Sequence, residues 1–151
     1  MAVTAMSGND TIILNNNVFT GLADGDFAKL SFPNKIANVK IGKNGNAIYG
    51  LNQTGKMAEF DLRLIRGSAD DQFMNALLLQ QQNNFQAFPL MFGTFVKLIG
   101  DGSGNVKNDT YIVSGGVFVE QVMAKSNAEG DTEQSVSIYK INFSNAPRAL
   151  T

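Results

Sequence analysis

The chain has 151 residues, with 12 Lys+Arg against 13 Asp+Glu and no Cys, His or Trp. That length fits a single domain, 1–151, with a real core. The missing residue types exclude Ser-His-Asp and Cys-His nucleophile systems, Cys/His zinc sites and disulfides.

A net charge of −1 gives no general electrostatic grip on nucleic acid. Only 17% of residues are charged, below the usual ~25%, and the polarity comes from Asn and Gln instead. Such a surface suits burial against other protein; an ordinary Asn-rich β-domain fits the composition equally. The first ten residues lack the basic region and apolar stretch of a signal peptide, and no apolar run approaches ~18 residues. Synthesis in a cytoplasm with no membrane anchor is expected.

Residues 10–14 read as a first strand, continued at 18–20 beyond Asn15, Asn16 and Asn17. Asp24-Gly25 favours a tight reversal. Residues 27–32 alternate as the next strand, closed by Pro33 and Asn34. Residues 35–41 place Ala37, Val39 and Ile41 on one face, and 47–51 return after Lys43-Asn44-Gly45-Asn46. Asn-Gly between alternating apolar residues is a strong hairpin signal, because both turn positions need positive φ.

Residues 56–66 show the cleanest period of two, with Ala58, Phe60, Leu62 and Leu64 on one face and Glu59, Asp61 and Arg63 on the other. Ser68 then caps a helix over about 69–82, with Asp71 in a weakened capping box and Asp70 and Asp71 favoured by the helix dipole. Phe73, Met74, Leu77 and Leu78 form one stripe, with Phe73 and Leu77 expected on the sheet.

The second half is again β. Phe88, Leu90, Phe92, Val96 and Leu98 alternate along 87–99, and a glycine-rich tip follows at 100–105. Residues 111–124 read as a long strand interrupted by a bulge at Gly115-Gly116. Both of its faces carry apolar residues, which implies cover on each side and partly from other subunits. A turn at 127–131 leads to a last strand over 134–143, in which the apolar set changes phase between Ile138 and Tyr139.

No catalytic or metal constellation emerges, and no cofactor is expected. Asp101, Ser103 and Asn105 begin like a calcium loop, but Val106 and Ile112 stand where Gly and Glu are required. Gly42-Lys43-Asn44-Gly45 lacks phosphate-loop spacing. Asp70 and Asp71 are adjacent on a helix and do not face each other. Glu59 and Asp61 share a face with Arg63, which makes a charge row rather than a tuned acid/base pair.

Several runs together resemble the tail tube proteins of contractile-tailed bacteriophages. They are Phe32-Pro33-Asn34-Lys35, the stretch 39–49, the stretch 62–73, Gly100-Asp101-Gly102, Tyr111 with the stretch 114–118, and the stretch 127–134. The resemblance spans about 15–148 and lies in order and spacing. It implies a β-sandwich of two mostly antiparallel sheets with one flanking helix. Six subunits would close a ring, with four strands of each joined in a continuous barrel. Stacked rings would form a tube inside a sheath. It also implies tail sheath, baseplate and tape-measure partners, location in the virion tail after assembly in the host bacterial cytoplasm, and DNA passing through the lumen unbound. The same architecture serves type VI secretion tubes and tailocins.

Twenty-four strands at ~4.8 Å spacing and ~40° tilt give a barrel roughly 45–50 Å across, leaving a channel of roughly 35–40 Å, wide enough for duplex DNA. On this reading Lys43, Asn44, Gly45 and Asn46 tip a hairpin that contacts the next ring. Glu59, Asp61 and Arg63 face the lumen or the sheath. Lys29, Lys35, Lys40 and Lys43 meet carboxylates of neighbouring subunits or turn away from the channel. The rival from another class is a monomeric β-sandwich binding module, for carbohydrate for example, though no Trp is present to serve as its platform.

Overall fold

The computed structural model describes residues 3–7 and 10–151. The chain is mainly β, with one long helix. Its strands are β1 (Ala5–Met6), β2 (Thr11–Leu14), β3 (Asn17–Val18), β4 (Ala28–Ser31), β5 (Ala37–Ile41), β6 (Ala47–Leu51), β7 (Ala58–Ile65), β8 (Met91–Gly100), β9 (Val106–Phe118), β10 (Val136–Asn145) and β11 (Arg148–Leu150). The helix α1 spans Ala69–Asn83. Nine strands form one antiparallel sheet in the order β3-β2-β8-β9-β10-β7-β4, with β1 on β8 and β11 on β9. The small second sheet is the β5–β6 hairpin alone.

One ladder encloses the core by doubling over, in place of two separate sheets. Phe60 on β7 and Phe95 on β8 are separated by two strands in the sheet order, yet their rings stack at 4.4 Å. Ala58, Phe60, Leu62 and Leu64 are buried on the inner face of β7, as their alternation requires, beside Tyr139, Ile141 and Phe143 of β10.

The helix caps the fold. Ser68 Oγ accepts the Asp71 N–H at 3.2 Å. The helix seats on Asp70, Met74, Leu78 and Gln81, spaced i, i+4, i+8, i+11; Phe73 and Leu77, expected at the centre of the contact, flank it half-buried. Asp70 and Asp71 do more than complement the dipole. Asp70 Oδ2 accepts the Thr20 and Gly21 N–H groups at 2.8 and 2.6 Å. Asp71 accepts the Tyr139 hydroxyl at 2.6 Å and the Ser137 hydroxyl at 3.1 Å. These charge-assisted bonds tie the helix to both halves of the sheet.

Two strand expectations change. The strand expected over 111–124 begins at Val106 and ends at Phe118, after which the chain stays beside β10 through the Val119 N–H, which donates to the Lys140 carbonyl at 3.1 Å, and a Met123–Ile138 bridge. The bulge accounts for part of its apolar set on both parities, while Ile112 and Val119 remain exposed. Between the Gly93–Val113 and Met91–Gly116 pairs β9 carries one extra residue, with Gly115 at φ +66°. The inner parity therefore flips, and Val113 and Phe118 both face the core. Of the set expected to alternate, Leu90, just before β8, and Phe92 and Leu98 within it are exposed, Val96 is half-buried and Phe88 is buried, while Met91 is fully buried and Phe95 packs on the core. Gly93 decides the inner face, because a Cβ there would stand 2.0 Å from the Ile13 carbonyl oxygen.

Candidate assembly surface

The β5–β6 ribbon is built by its turn and its base. Asn44 at φ 71° and Gly45 at φ 80° turn the chain, and the Gly42 N–H donates to the Asn46 carbonyl at 2.6 Å. At the base the Asn52 N–H donates to the Ile36 carbonyl at 3.0 Å, and the Asn52 side chain caps Thr54. Gly55 lies so close to Ile36 that a Cβ would stand 2.8 Å from its Cα.

Beyond that base, every residue of both strands is exposed. The register pairs Val39 with Tyr49, Ala37 with Leu51 and Ile41 with Ala47, which puts one apolar face on the ribbon. Lys40 and Ile48 are paired on the other face. Tyr49 is 76% and Leu51 74% exposed. A two-stranded ribbon is marginal alone, and this one leaves a contiguous row of large apolar side chains uncovered. Lys43, Asn44, Gly45 and Asn46 all sit at the tip, as expected from sequence.

Glu59, Asp61 and Arg63 share the outer face of β7, opposite Lys29 and Ser31 of β4 and Lys140 and Asn142 of β10. The three do not act as one row. Arg63 turns to Glu133, with its Nη2 3.1 Å from the carboxylate, and stands 3.7 Å from Asp24. The Glu133 hydrogen bond raises the Arg63 pKa against the opposing pull of burial, so the guanidinium is firmly charged. Glu59 is exposed and Asp61 is half-buried in a patch of mixed sign.

The doubled sheet also leaves a groove of about 340 Å³ between β4 and the β2–β8 side. Phe60 and Phe95 form its apolar floor, and Asp10, Asp26 and Asp109 line it. Lys97 pairs with Asp10 at 3.1 Å, and Arg148 forks onto Asp109 at 2.7 and 2.9 Å. Arg148 thereby holds the Asp109 carboxyl below the usual carboxylate range, with burial opposing. Asp26 is exposed at the edge and makes no ion pair among the described residues.

The groove was not anticipated from sequence, because its walls come from strands distant along the chain. One signal was present: Lys97 follows Met91, Gly93 and Phe95 on the inner parity of β8, which places a charge at the mouth of the fold. Among the described residues no group of three or more acidic side chains is placed to hold a metal ion. Among known proteins, no family model matches the chain, and no curated protein matches it significantly.

Proposed function

We infer that this chain is a self-assembling structural subunit that closes into hexameric rings stacked as the inner tube of a contractile injection device, most specifically a bacteriophage tail. The observation that carries the reading is the ribbon: ten exposed strand residues with a continuous apolar face, held out from the body on a rigid base. A lone domain gains nothing from such an arm, whereas a subunit buries it against a neighbour.

The sheet order supports the same reading. It ends in the two short edge strands β3 and β4. Edges left unpaired are an aggregation hazard in a monomer, and a closed ring of β-sandwich subunits pairs them. The resemblance to tail tube proteins supplies the rest: sheath outside, baseplate and tape measure as partners, and DNA as cargo in the virion. A tailocin or type VI-like tube would use the same subunit design with a different cargo.

The deciding experiment is size-exclusion chromatography with negative-stain microscopy of the purified chain. Rings or tubes support the reading. A monodisperse 16.3 kDa monomer with no rings at high concentration overturns it and leaves a monomeric binding module.

A further inference from the structure

The tip of the arm carries a reactive pair. Asn44-Gly45 is the one Asn-Gly pair in the chain. Both residues are exposed, and Asn44 makes no side-chain hydrogen bond among the described residues. Gly45 has no side chain to screen its own backbone nitrogen, and a Cβ placed there would meet nothing within 4 Å, so no neighbour screens it either.

The closed turn restrains this pair. Asn44 lies in the left-handed region at φ 71° and ψ 15°, and the Gly45 N–H donates to the Gly42 carbonyl at 3.2 Å. At that ψ the Gly45 nitrogen nearly eclipses the backbone nitrogen of Asn44 and is turned away from its side chain. Contact between the Gly45 nitrogen and Asn44 Cγ therefore waits for the turn to open. Opening is a local event, because every strand residue of the arm is exposed and the arm is tied to the body at its base.

We propose that Asn44 is a self-modification site, with water as its co-reactant, whose rate is set by local opening of the arm tip. In the open turn the Gly45 nitrogen gives up its proton and attacks Asn44 Cγ. The N–Cγ bond forms, the Cγ–Nδ2 bond breaks, and Nδ2 takes a proton from water and leaves as ammonia. Water then opens the cyclic imide. Cleavage at Cγ yields Asp, and cleavage at the main-chain carbonyl yields a β-aspartyl link with an extra carbon in the turn. Nothing is oxidised or reduced.

The two Asp-Gly pairs are poorer sites. The Asp101 carboxylate accepts the Ser103 N–H at 2.7 Å, the Asn105 N–H at 3.2 Å and the Asn105 side chain at 2.9 Å. The Asn105 side chain, with the Ser103 N–H, holds that carboxyl below the usual carboxylate range, and an ionised carboxylate resists attack. Asp24 stands 3.7 Å from the Arg63 guanidinium, which favours the same ionised form.

The product alters the arm. Residues 32–58 carry Lys35, Lys40, Lys43 and Lys56 and no acidic residue, so conversion places the first negative charge in this segment, beside Lys43. On the ring reading, and only this step rests on it, burial of the tip stops the reaction, so conversion falls on subunits left unassembled.

The test is to hold the purified full chain in mildly alkaline heavy-oxygen water and map its peptides by mass spectrometry. The tip peptide should convert before any other, release ammonia in step, take up heavy oxygen and yield two separable products, at a rate that rises with hydroxide. Conversion in the native chain should be less than about a hundredfold slower than in urea, and Gln81→Leu, far from the tip, should leave it unchanged. An intact tip while other Asn residues convert would overturn the site. Suppression beyond about a thousandfold that Gln81→Leu relieves would overturn the local route, because global unfolding would then control the rate. Assembled rings should convert at least about tenfold more slowly than free subunits, and rings with unprotected tips would overturn the protection step. A chain that never assembles yet converts at Asn44 supports the site and counts against the ring reading.

Discussion

Gln81 finishes a strand from within the helix: its Nε2 donates to the Phe118 carbonyl at 2.9 Å and its Oε1 accepts the Phe118 N–H at 2.8 Å. The amide thus stands in for a ladder partner where β9 ends. Gln81 is buried, and neither backbone group has water to turn to.

Replacing Gln81 by Leu keeps the volume but strands both Phe118 groups. Each unsatisfied buried group costs about 1–3 kcal/mol, so for the two a loss of roughly 2–6 kcal/mol is expected. Urea unfolding followed by circular dichroism measures it. A change below about 0.5 kcal/mol would mean that the end of β9 relaxes into solvent.

Two glycines with positive φ separate folding from assembly. Gly45 has φ +80° and open space around it, so Gly45→Val pays only the conformational penalty, about 1 kcal/mol or more. Gly115 has φ +66° and lies where a Cβ would stand 2.0 Å from Ser144 Oγ, so Gly115→Ala should cost clearly more. Thermal melts should rank Gly115→Ala below Gly45→Val, and assembly assays should show Gly45→Val impaired although folded. A Gly45→Val variant that assembles like wild type, with its tip in solvent, would remove the tip from the interface.

Asp109 sets part of the acid limb of stability. Its carboxyl is held below the ordinary range by the Arg148 fork, with burial opposing. A depressed folded-state pKa means that the stabilisation is complete above the unfolded-state value and is lost as pH falls through the folded-state value. Stability should therefore decline below about pH 4, and Asp109→Asn should flatten that decline while lowering stability at neutral pH. Unfolding curves of the two proteins from neutral pH to the acid limit provide the comparison. Parallel curves would show that the pair contributes nothing to the pH dependence.

The sequence disclosed the fold where one parity dominates. Ala58, Phe60, Leu62 and Leu64 named the inner face of β7, Ser68 marked the start of the helix, and Asn44-Gly45 located the arm. It misled where both parities are apolar. In and just before β8 the exposed Leu90, Phe92 and Leu98 are as apolar as the buried Met91 and the core-packed Phe95, and the choice falls to the close approach of Gly93 to Ile13. Asp70 could not be assigned its tertiary partners, since the Thr20 and Gly21 amides lie about 50 residues away. The groove depends on how the sheet doubles over, which no local pattern encodes.

An assembled tube should pass DNA without holding it. Net charge is −1 per subunit, so the summed counterion release available to a duplex is small. Assembled protein mixed with short duplex DNA at low salt should show no retention. Salt-sensitive binding at micromolar concentration would contradict a passive conduit.

The ties from α1 to separated stretches of chain have a consequence for motion. Asp70 holds the segment after β3, Asp71 holds β10 and Gln81 holds β9, so the helix cannot open without breaking the sheet's own supports. The arm has no such ties beyond its base. Amide exchange should therefore fall into two tiers: helix and β7 protons that exchange only on global unfolding, and β5–β6 protons that exchange through local opening. In a free subunit the paired arm should open locally while the body stays closed, and burial against a neighbour should suppress that opening. Association should then carry an unfavourable ordering entropy localised in about ten residues, and protection of those amides should rise as assembly proceeds.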